Sequence, residues 1–370
     1  MGDVSILDVD ESRMASFSIS WNSQGSYLAA GSSYDRCVKI YSFHSEACRN
    51  FCSLKYNTSA RVDMVRFHPD LPNLLLASSD DRAIKLWDVR LNNASSKNMA
   101  TFPLKSNAVS MKWSTHRNQH LFVICDAQNH VHVYDTRAIT TSTSITTDGT
   151  QPIRSFHLEP HRIYDVAFSP SSTHLVLATK SAPDGIGTLR IFPWDNNHDN
   201  KNQITSTTTP NGDISSSPLS DHTITSHITF PGHMAAMTSL NFSPNGRKLV
   251  TGGQDSVMAL WDVQDMVCTS TSLLRSKTIR SVTCSFDSKV VAGSCYDEDG
   301  IDLLDTCTGK NIGTVFLSRN PNSSNRSSTA LYGCYEIAFH PKAYVLACAR
   351  GETGSTSLPA LNIATIDLMK

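Results

Sequence analysis

The chain has 370 residues, a formal net charge of −1 and 18% charged residues, so no long-range field draws it as a whole onto nucleic acid or an anionic membrane. That length fits either two average domains or one large all-β domain. No run approaches the roughly 18 apolar residues of a membrane span, and "MGDVSI" has neither a secretory leader nor the Ser or Thr that a myristoylation signal needs where Ile6 stands.

Ten cysteines stand singly, at 37, 48, 52, 125, 268, 284, 295, 307, 334 and 348, with no short ligand spacing. They read as free thiols of a reducing compartment, mostly core filler. In chain order, a strand, a turn built on Pro, Asn, Asp or Gly, and a second apolar strand recur: "FSISWNSQGSYLAAGS", "VDMVRFHPDLPNLLLASS", "AVSMKWSTHRNQHLFVIC", "IYDVAFSPSSTHLVLAT", "MTSLNFSPNGRKLVTGG", "IRSVTCSFDSKVVAGS" and "CYEIAFHPKAYVLACA". Each precedes a third phrase. "YDRCVKIYSF", "DDRAIKLWDV" and "QDSVMALWDV" superimpose without gaps, each with an Asp six residues before its aromatic; "QNHVHVYDTR", "IGTLRIFPW", "EDGIDLLDT" and "PALNIATIDL" are weaker copies. In the "DDRAIKLWDVR" stretch, Ala83, Lys85 and Trp87 alternate with Ile84, Leu86 and Asp88, which is the period of a strand entered through a turn at Asp80 and Asp81. A general-base role for Asp81 is weaker than a scaffold role, because the unit is repeated.

A fourth, variable strand is expected in "NFCSLKY", "MATFPLK", "PIRSFHL", "ITSHITF", "VCTSTSL" and "NIGTVFL". The aromatic positions 41, 87, 134, 192, 261, 304 and 366 lie 43 to 69 residues apart. Where loops are short, that approaches the roughly 40–45 residues of a four-stranded propeller blade. The fold class is therefore all-β, a single seven-bladed propeller over 1–370, with blades at about 16–55, 60–105, 107–158, 161–230, 237–273, 278–317 and 335–368. The seventh unit is one strand short while "VSILDV" at 4–9 has no blade of its own, so pairing of the two ends is expected to close the ring and remove an edge. Residues 195–223, rich in Ser, Thr, Asn and Asp, cannot bury a core and read as a disordered insertion between blades 4 and 5; 140–150 and 318–330 are similar.

A search for chemistry finds no nucleotide-binding, hydrolase or zinc-protease motif and no His/Cys group at metal spacing. His130 and His132 alternate on one strand face without a third ligand nearby in sequence. No catalytic, metal or cofactor-binding residue is assigned, and no cofactor or small-molecule substrate is expected. The arginines are dispersed and the chain lacks a basic tail, which disfavours direct RNA binding.

"PGHMAAMTSLNFSPNGRKLVTGGQDSVMALWDV" resembles the WD-repeat family in full, from Gly232-His233 to Trp261-Asp262, and the resemblance extends in weaker form along nearly the whole chain. It implies a structural hydrogen-bond network of His233, Asp255 and Trp261, and in part of Asp81 with Trp87. It also implies partner contacts just before the turn Asp, at Tyr34, Asp80 and Gln254. Within that family, "TGGQDSVMALWDVQDMVCTSTSLLRSKTIRSVTCSFDSKVVAGSCYDEDGIDLLDTCTGK", "YEIAFHPKAYVLACA" and "HPDLPNLLLASSDDRAIKLWDVR" look like the Tex-type WD-repeat subunits of the THO complex. That implies a nuclear, non-enzymatic scaffold of the THO/TREX assembly, coupling transcription to mRNA processing and export. Its expected partners are other THO subunits, chiefly the large helical scaffold subunit, and indirectly a DEAD-box RNA helicase and mRNA, with no membrane contact. Two rivals stand beside it. Arg90 and Arg137, two residues past an Asp, match the WDxR pattern of cullin-type ubiquitin-ligase substrate receptors, and a quinoprotein-type enzyme propeller is the other.

Overall fold

A computed structural model of the chain describes residues 4–9, 16–32, 36–44, 47–55, 61–91, 98–115, 120–137, 151–194, 227–274, 277–296, 298, 300–317, 334–350 and 361–367. The expected insertion at 195–223, the tracts at 140–150 and 318–330, and Tyr34 lie outside these residues. Seven antiparallel sheets of four strands follow one another along the chain. From the inner strand outward, blade 1 is Ser16–Trp21, Tyr27–Ser32, Cys37–His44 and Ala47–Lys55, and blade 2 is Val62–Phe67, Leu74–Ser79, Ala83–Asp88 and Ala100–Pro103. Blade 3 is Ala108–Trp113, Leu121–Asp126, His130–Asp135 and Arg154–His157; blade 4 is Arg162–Phe168, His174–Lys180, Gly187–Pro193 and Ile228–His233. Blade 5 comprises Met237–Phe242, Lys248–Gly253, Val257–Asp262 and Val267–Leu273, and blade 6 Ile279–Cys284, Val290–Cys295, Gly300–Asp305 and Asn311–Phe316. Blade 7 takes three strands from one end of the chain, Cys334–Phe339, Val345–Arg350 and Leu361–Ile366, and its outer strand, Val4–Asp8, from the other.

Each strand alternates its side chains between two sheet faces, and in a propeller both faces of a blade meet a neighbouring blade. The middle strands are accordingly apolar on both sides. Among the described residues the core falls into seven clusters, one in each gap between adjacent blades. Phe102, Phe122 and Tyr134 pack edge-to-face or stacked between blades 2 and 3, and Phe156, Phe168, Phe192 and Trp194 fill the gap between blades 3 and 4. Cys125, Cys284 and Cys348 are buried free thiols, and burial pushes the Cys284 thiol up to about 12.

The register corrects one sequence expectation. The inner, second and third strands align Trp21, Leu28 and Tyr41 in blade 1, and Phe242, Leu249 and Trp261 in blade 5. In blade 7 the same row reads Phe339, Leu346 and Ala364, so the counterpart of the tryptophan is Ala364 and not Ile366. The closing "IDL" that echoes "LWD" in the residue order therefore stands two residues past that register.

Ring closure follows the sequence expectation. Val4–Asp8 pairs with the third strand of blade 7 in the register Val4↔Ile366 to Asp8↔Asn362. Val4 packs on the cluster between blades 6 and 7, while Leu7 and Val9 reach the cluster between blades 7 and 1. Deleting residues 1–9 thus strips a ladder and exposes apolar side chains on both faces of blade 7. A loss of a few kcal/mol is expected, lowering the melting temperature by roughly 5 °C or more; an unchanged melting curve would rule the closure out.

Candidate functional site: the inner channel and the networks that hold it

The inner strands of all seven blades surround a channel of about 770 Å³. An inner strand is a sheet edge, so its backbone N–H groups facing the preceding blade have no ladder partner and need another acceptor. One register position supplies it: the residue three before the end of each inner strand is Ser18, Met64, Ser110, Asp165, Ser239, Ser281 and Glu336. The Ser18 hydroxyl accepts from Val65 N (3.1 Å), Asp165 from Leu240 N (2.9 Å), Ser239 from Val282 N (3.3 Å), Ser281 from Ile337 N (3.4 Å) and Glu336 from Ile19 N (3.0 Å). Each bond crosses to the following blade, and the last crosses from blade 7 to blade 1. Ser110 departs from the pattern by donating to Asp165 (2.6 Å), and Met64 offers no oxygen. The ring is reinforced where Arg66 binds Glu336 (2.6 Å) and Ser18 (2.9 Å). Trp21 and Trp113 add N–H bonds to Ala338 O and Arg66 O of the preceding blades, 3.1 Å each.

A second polar row lies deeper in the blades. In blade 5 the three residues the sequence singled out meet through a fourth, Thr251. His233 Nδ1 lies 3.0 Å from Asp255, its Nε2 2.9 Å from Thr251 Oγ1, and Trp261 Nε1 donates to the same hydroxyl at 3.0 Å. The Asp255 carboxylate can only accept, so Nδ1 carries the imidazole proton and Nε2 accepts from the Thr251 hydroxyl, which itself accepts from Trp261. Asp255 also accepts from Met234 N and Val257 N. A Cβ at Gly253 would sit 2.5 Å from both His233 Nδ1 and Asp255 Oδ1, so only glycine fits there. Blade 2 has Ala77 where blade 5 has Thr251, and Asp81 bonds instead to Ser79, Ala83 N and the Lys85 ammonium (3.4 Å). Trp87 is buried in the cluster shared with blade 1.

Lys85 identifies a rule the sequence reading missed. Two residues before the third-strand aromatic register stand Lys39, Lys85, His132, Arg190, Ala259, Asp302 and Asn362. Six are polar. The exception is the blade in which His233, arriving from the preceding outer strand, fills the space that alanine leaves. Arg190 contacts His227 (2.8 Å) and Ser181 (3.2 Å), and Asp302 accepts from Thr314 (2.5 Å). In blade 3, His132 bonds Ser155 (2.8 Å) and lies 3.9 Å from Asp126, with His130 Nδ1 3.3 Å from the same carboxylate. Asp126 stands two residues before the usual turn position, which Gln128 occupies, yet it accepts from Gln128 N and His130 N as Asp255 does from its own turn. His130 and His132 therefore do acquire a nearby carboxylate, but no group of three or more His, Cys, Asp or Glu with metal-site geometry occurs among the described residues.

Of the contact positions implied by the family, Asp80 and Gln254 are exposed, and Gln254 borders the channel whereas Asp80 stands off it. Arg90 and Arg137 fold back bidentately on Asp88 (2.6 Å) and Asp135 (2.7 Å), and those guanidiniums hold both carboxyls below the usual range.

We propose that these networks are structural. Asp255→Ala strands an imidazole and two backbone donors, so a loss of about 1–3 kcal/mol in denaturant unfolding is expected, with partner binding reduced only in proportion to unfolding; full stability with lost binding would make Asp255 a contact residue. Burial raises the Asp126 carboxyl, but the nearby His132 and His130 imidazoles and the hydrogen bond from His130 N outweigh it and hold the group at about 2. A folded value below the unfolded one means stability that is present above about pH 4 and lost as pH falls toward 2, roughly 2 kcal/mol in all. The stability gap between the natural chain and Asp126→Asn is expected to narrow across that window; a constant gap would show that the carboxylate charge is not what stabilises the turn.

Comparison with known proteins agrees with this architecture. The family described as "WD domain, G-beta repeat" matches residues 14–42, 50–88 and 224–262. The chain is 22% identical over 304 residues to the WD repeat-containing protein AAC3 of Dictyostelium discoideum, covering 77% of this chain and 54% of that protein. It is 22% identical over 299 residues to THO complex subunit 3 of Arabidopsis thaliana, covering 80% of this chain and 78% of the relative, and 24% identical over 282 residues to the protein transport protein sec13 of Aspergillus fumigatus, covering 64% and 88%. The chain thus spans about half the length of the Dictyostelium protein it matches. With seven four-stranded blades, three matched repeats and the His233–Asp255–Trp261 geometry together, the chain is a seven-bladed β-propeller that carries WD repeats.

Proposed function

We propose that this propeller is a non-enzymatic docking subunit of a nuclear THO-type assembly that couples transcription to mRNA processing and export. The observation that carries the reading is the similarity to THO complex subunit 3, which extends across 80% of this chain and 78% of that relative rather than over one repeat. The phrases shared with Tex-type subunits in blades 2, 5, 6 and 7 support it, and the propeller's rim and two faces suit contacts with several proteins at once. On this reading the large helical THO subunit is the direct partner, and Asp80 and Gln254 are contact positions on the face where the inner strands begin. Messenger RNA and the DEAD-box helicase are reached through the assembly. Arg90 and Arg137 already have local carboxylate partners, so the cullin-receptor alternative draws no added support from their geometry.

Affinity purification from nuclear extract in about 0.5 M salt, where exposed charge pairs are screened, tests the reading. THO subunits are expected to remain bound, while the isolated chain binds single-stranded RNA only at the non-specific level of about 10⁻⁴ to 10⁻⁶ M. Recovery of a cullin adaptor without any THO subunit would sink it.

A further inference from the structure

We propose that the channel is a docking site for an extended acidic peptide segment whose carboxylates pair with Arg280 at the mouth and with Lys112, three strand positions further along the wall; this deepens, and rests on, the reading of the chain as a protein-docking propeller. The charge inventory of the channel carries it. Four cations and three carboxylates line the wall: Arg61, Arg66, Lys112 and Arg280, against Asp63, Asp165 and Glu336. Every carboxylate is committed within the fold. Asp63 is bound by Arg61 (2.8 Å), and Glu336 by Arg66 and Ile19 N. Asp165, 8% exposed, uses one oxygen for Ser110 and Val166 N and the other for Leu240 N. Among the described residues, Lys112 and Arg280 are the channel cations with no carboxylate at ion-pair distance.

Arg280 is also held ready. Its guanidinium lies 4.7 Å from the Tyr335 ring centroid and 5.9 Å from that of Tyr296. Contact with these two rings restrains the guanidinium while its N–H groups can still meet a carboxylate, which such a fork binds in bidentate fashion. Arg162 is placed the same way over Tyr164, at 5.3 Å. Tyr164, Arg280 and Tyr335 occupy one register, four residues before the end of their inner strands, and Val109, 38% exposed, shares it. The mouth therefore offers aromatic and aliphatic surface with separate cations set into it. An extended chain that alternates acidic with apolar side chains matches that spacing of properties. A continuous run of phosphates does not, because Asp63 and Glu336 stand on the same wall. The volume of about 770 Å³ is in the range of ligand clefts, enough for several side chains of a strand and too small for a folded domain.

The test is fluorescence anisotropy on the full chain with three labelled probes: a twelve-residue peptide alternating Glu with Leu and Tyr, the same peptide with Lys for Glu, and a twelve-nucleotide oligouridine. The acidic peptide is expected to bind best. Lys112→Gln and Arg280→Gln should each weaken it about tenfold, the equivalent of one lost charge-assisted hydrogen bond, with unchanged melting temperatures. Should Lys112→Gln melt early, Arg280→Lys at the exposed mouth, which keeps the charge and loses the fork, is expected to weaken binding severalfold on its own. Equal binding of the lysine peptide, tighter binding of the oligouridine, or undiminished binding by the folded variants overturns the proposal. The double variant in the nuclear-extract purification separates the two readings. THO subunits retained with peptide binding lost leaves the assembly reading intact through another face, whereas peptide binding retained without THO subunits removes only the assembly reading.

Discussion

Seven inner sheet edges converge on one axis, and their outward N–H groups must find acceptors that no eighth strand can supply. Side-chain oxygens from the preceding blade meet that need at five of the seven junctions: Ser18, Asp165, Ser239, Ser281 and Glu336. A hydrogen bond to a short side chain tolerates the splay between neighbouring inner strands, which a backbone ladder with its fixed strand spacing does not. The blades are thereby tied to one another at their narrow ends, and the seven apolar clusters then fill the widening gaps behind them. The same ring consumes Asp165 and Glu336, two of the channel's three carboxylates, and Arg61 takes the third, Asp63; the electrostatics of the channel follow from that.

Within the blades the problem is different. A polar group two residues before the third-strand aromatic lies buried or half-buried in six blades, and each is stable only with local partners. The fold meets this condition in several ways: Lys85 with the turn Asp81, Arg190 with His227 and Ser181, His132 with Ser155 and Asp126, Asp302 with Thr314. The arrangement of His233, Asp255, Thr251 and Trp261 is one more solution, in which Ala259 yields the space and the polar group comes from the neighbouring outer strand. Blades lacking the Gly-His pair are therefore differently pinned, and their weaker resemblance to the repeat signature does not mean weaker blades.

The proposed contact surface follows from the inner row. Among the described residues, committed carboxylates leave Lys112 and Arg280 without acidic partners, while Tyr164 and Tyr335 of blades 4 and 7 line the channel. Electrostatic complementarity of this kind fixes the register of a bound segment and speeds its encounter more than it adds affinity.

Much of this was legible in the residue order. Strand periodicity, the recurring turn chemistry and the gapless match of "DDRAIKLWDV" with "QDSVMALWDV" determined seven four-stranded repeats, and an orphan "VSILDV" opposite an incomplete last repeat determined how the ring closes. These are local patterns, set by the two-residue period of a strand and the φ demands of turns. The polar rows were present too, three residues before the end of each inner strand and two before the third-strand aromatic, but a polar residue in a strand looks solvent-exposed until the neighbouring blade is in place. Only the tertiary structure could decide that Asp165 is spoken for by blades 3 and 5, that Ala364 and not Ile366 takes the tryptophan's place, and that arginines and tyrosines scattered over about 175 residues meet at one mouth. The reason is geometric: side chains more than 40 residues apart become neighbours when each blade returns its inner strand to the same axis, and no local pattern records that distance.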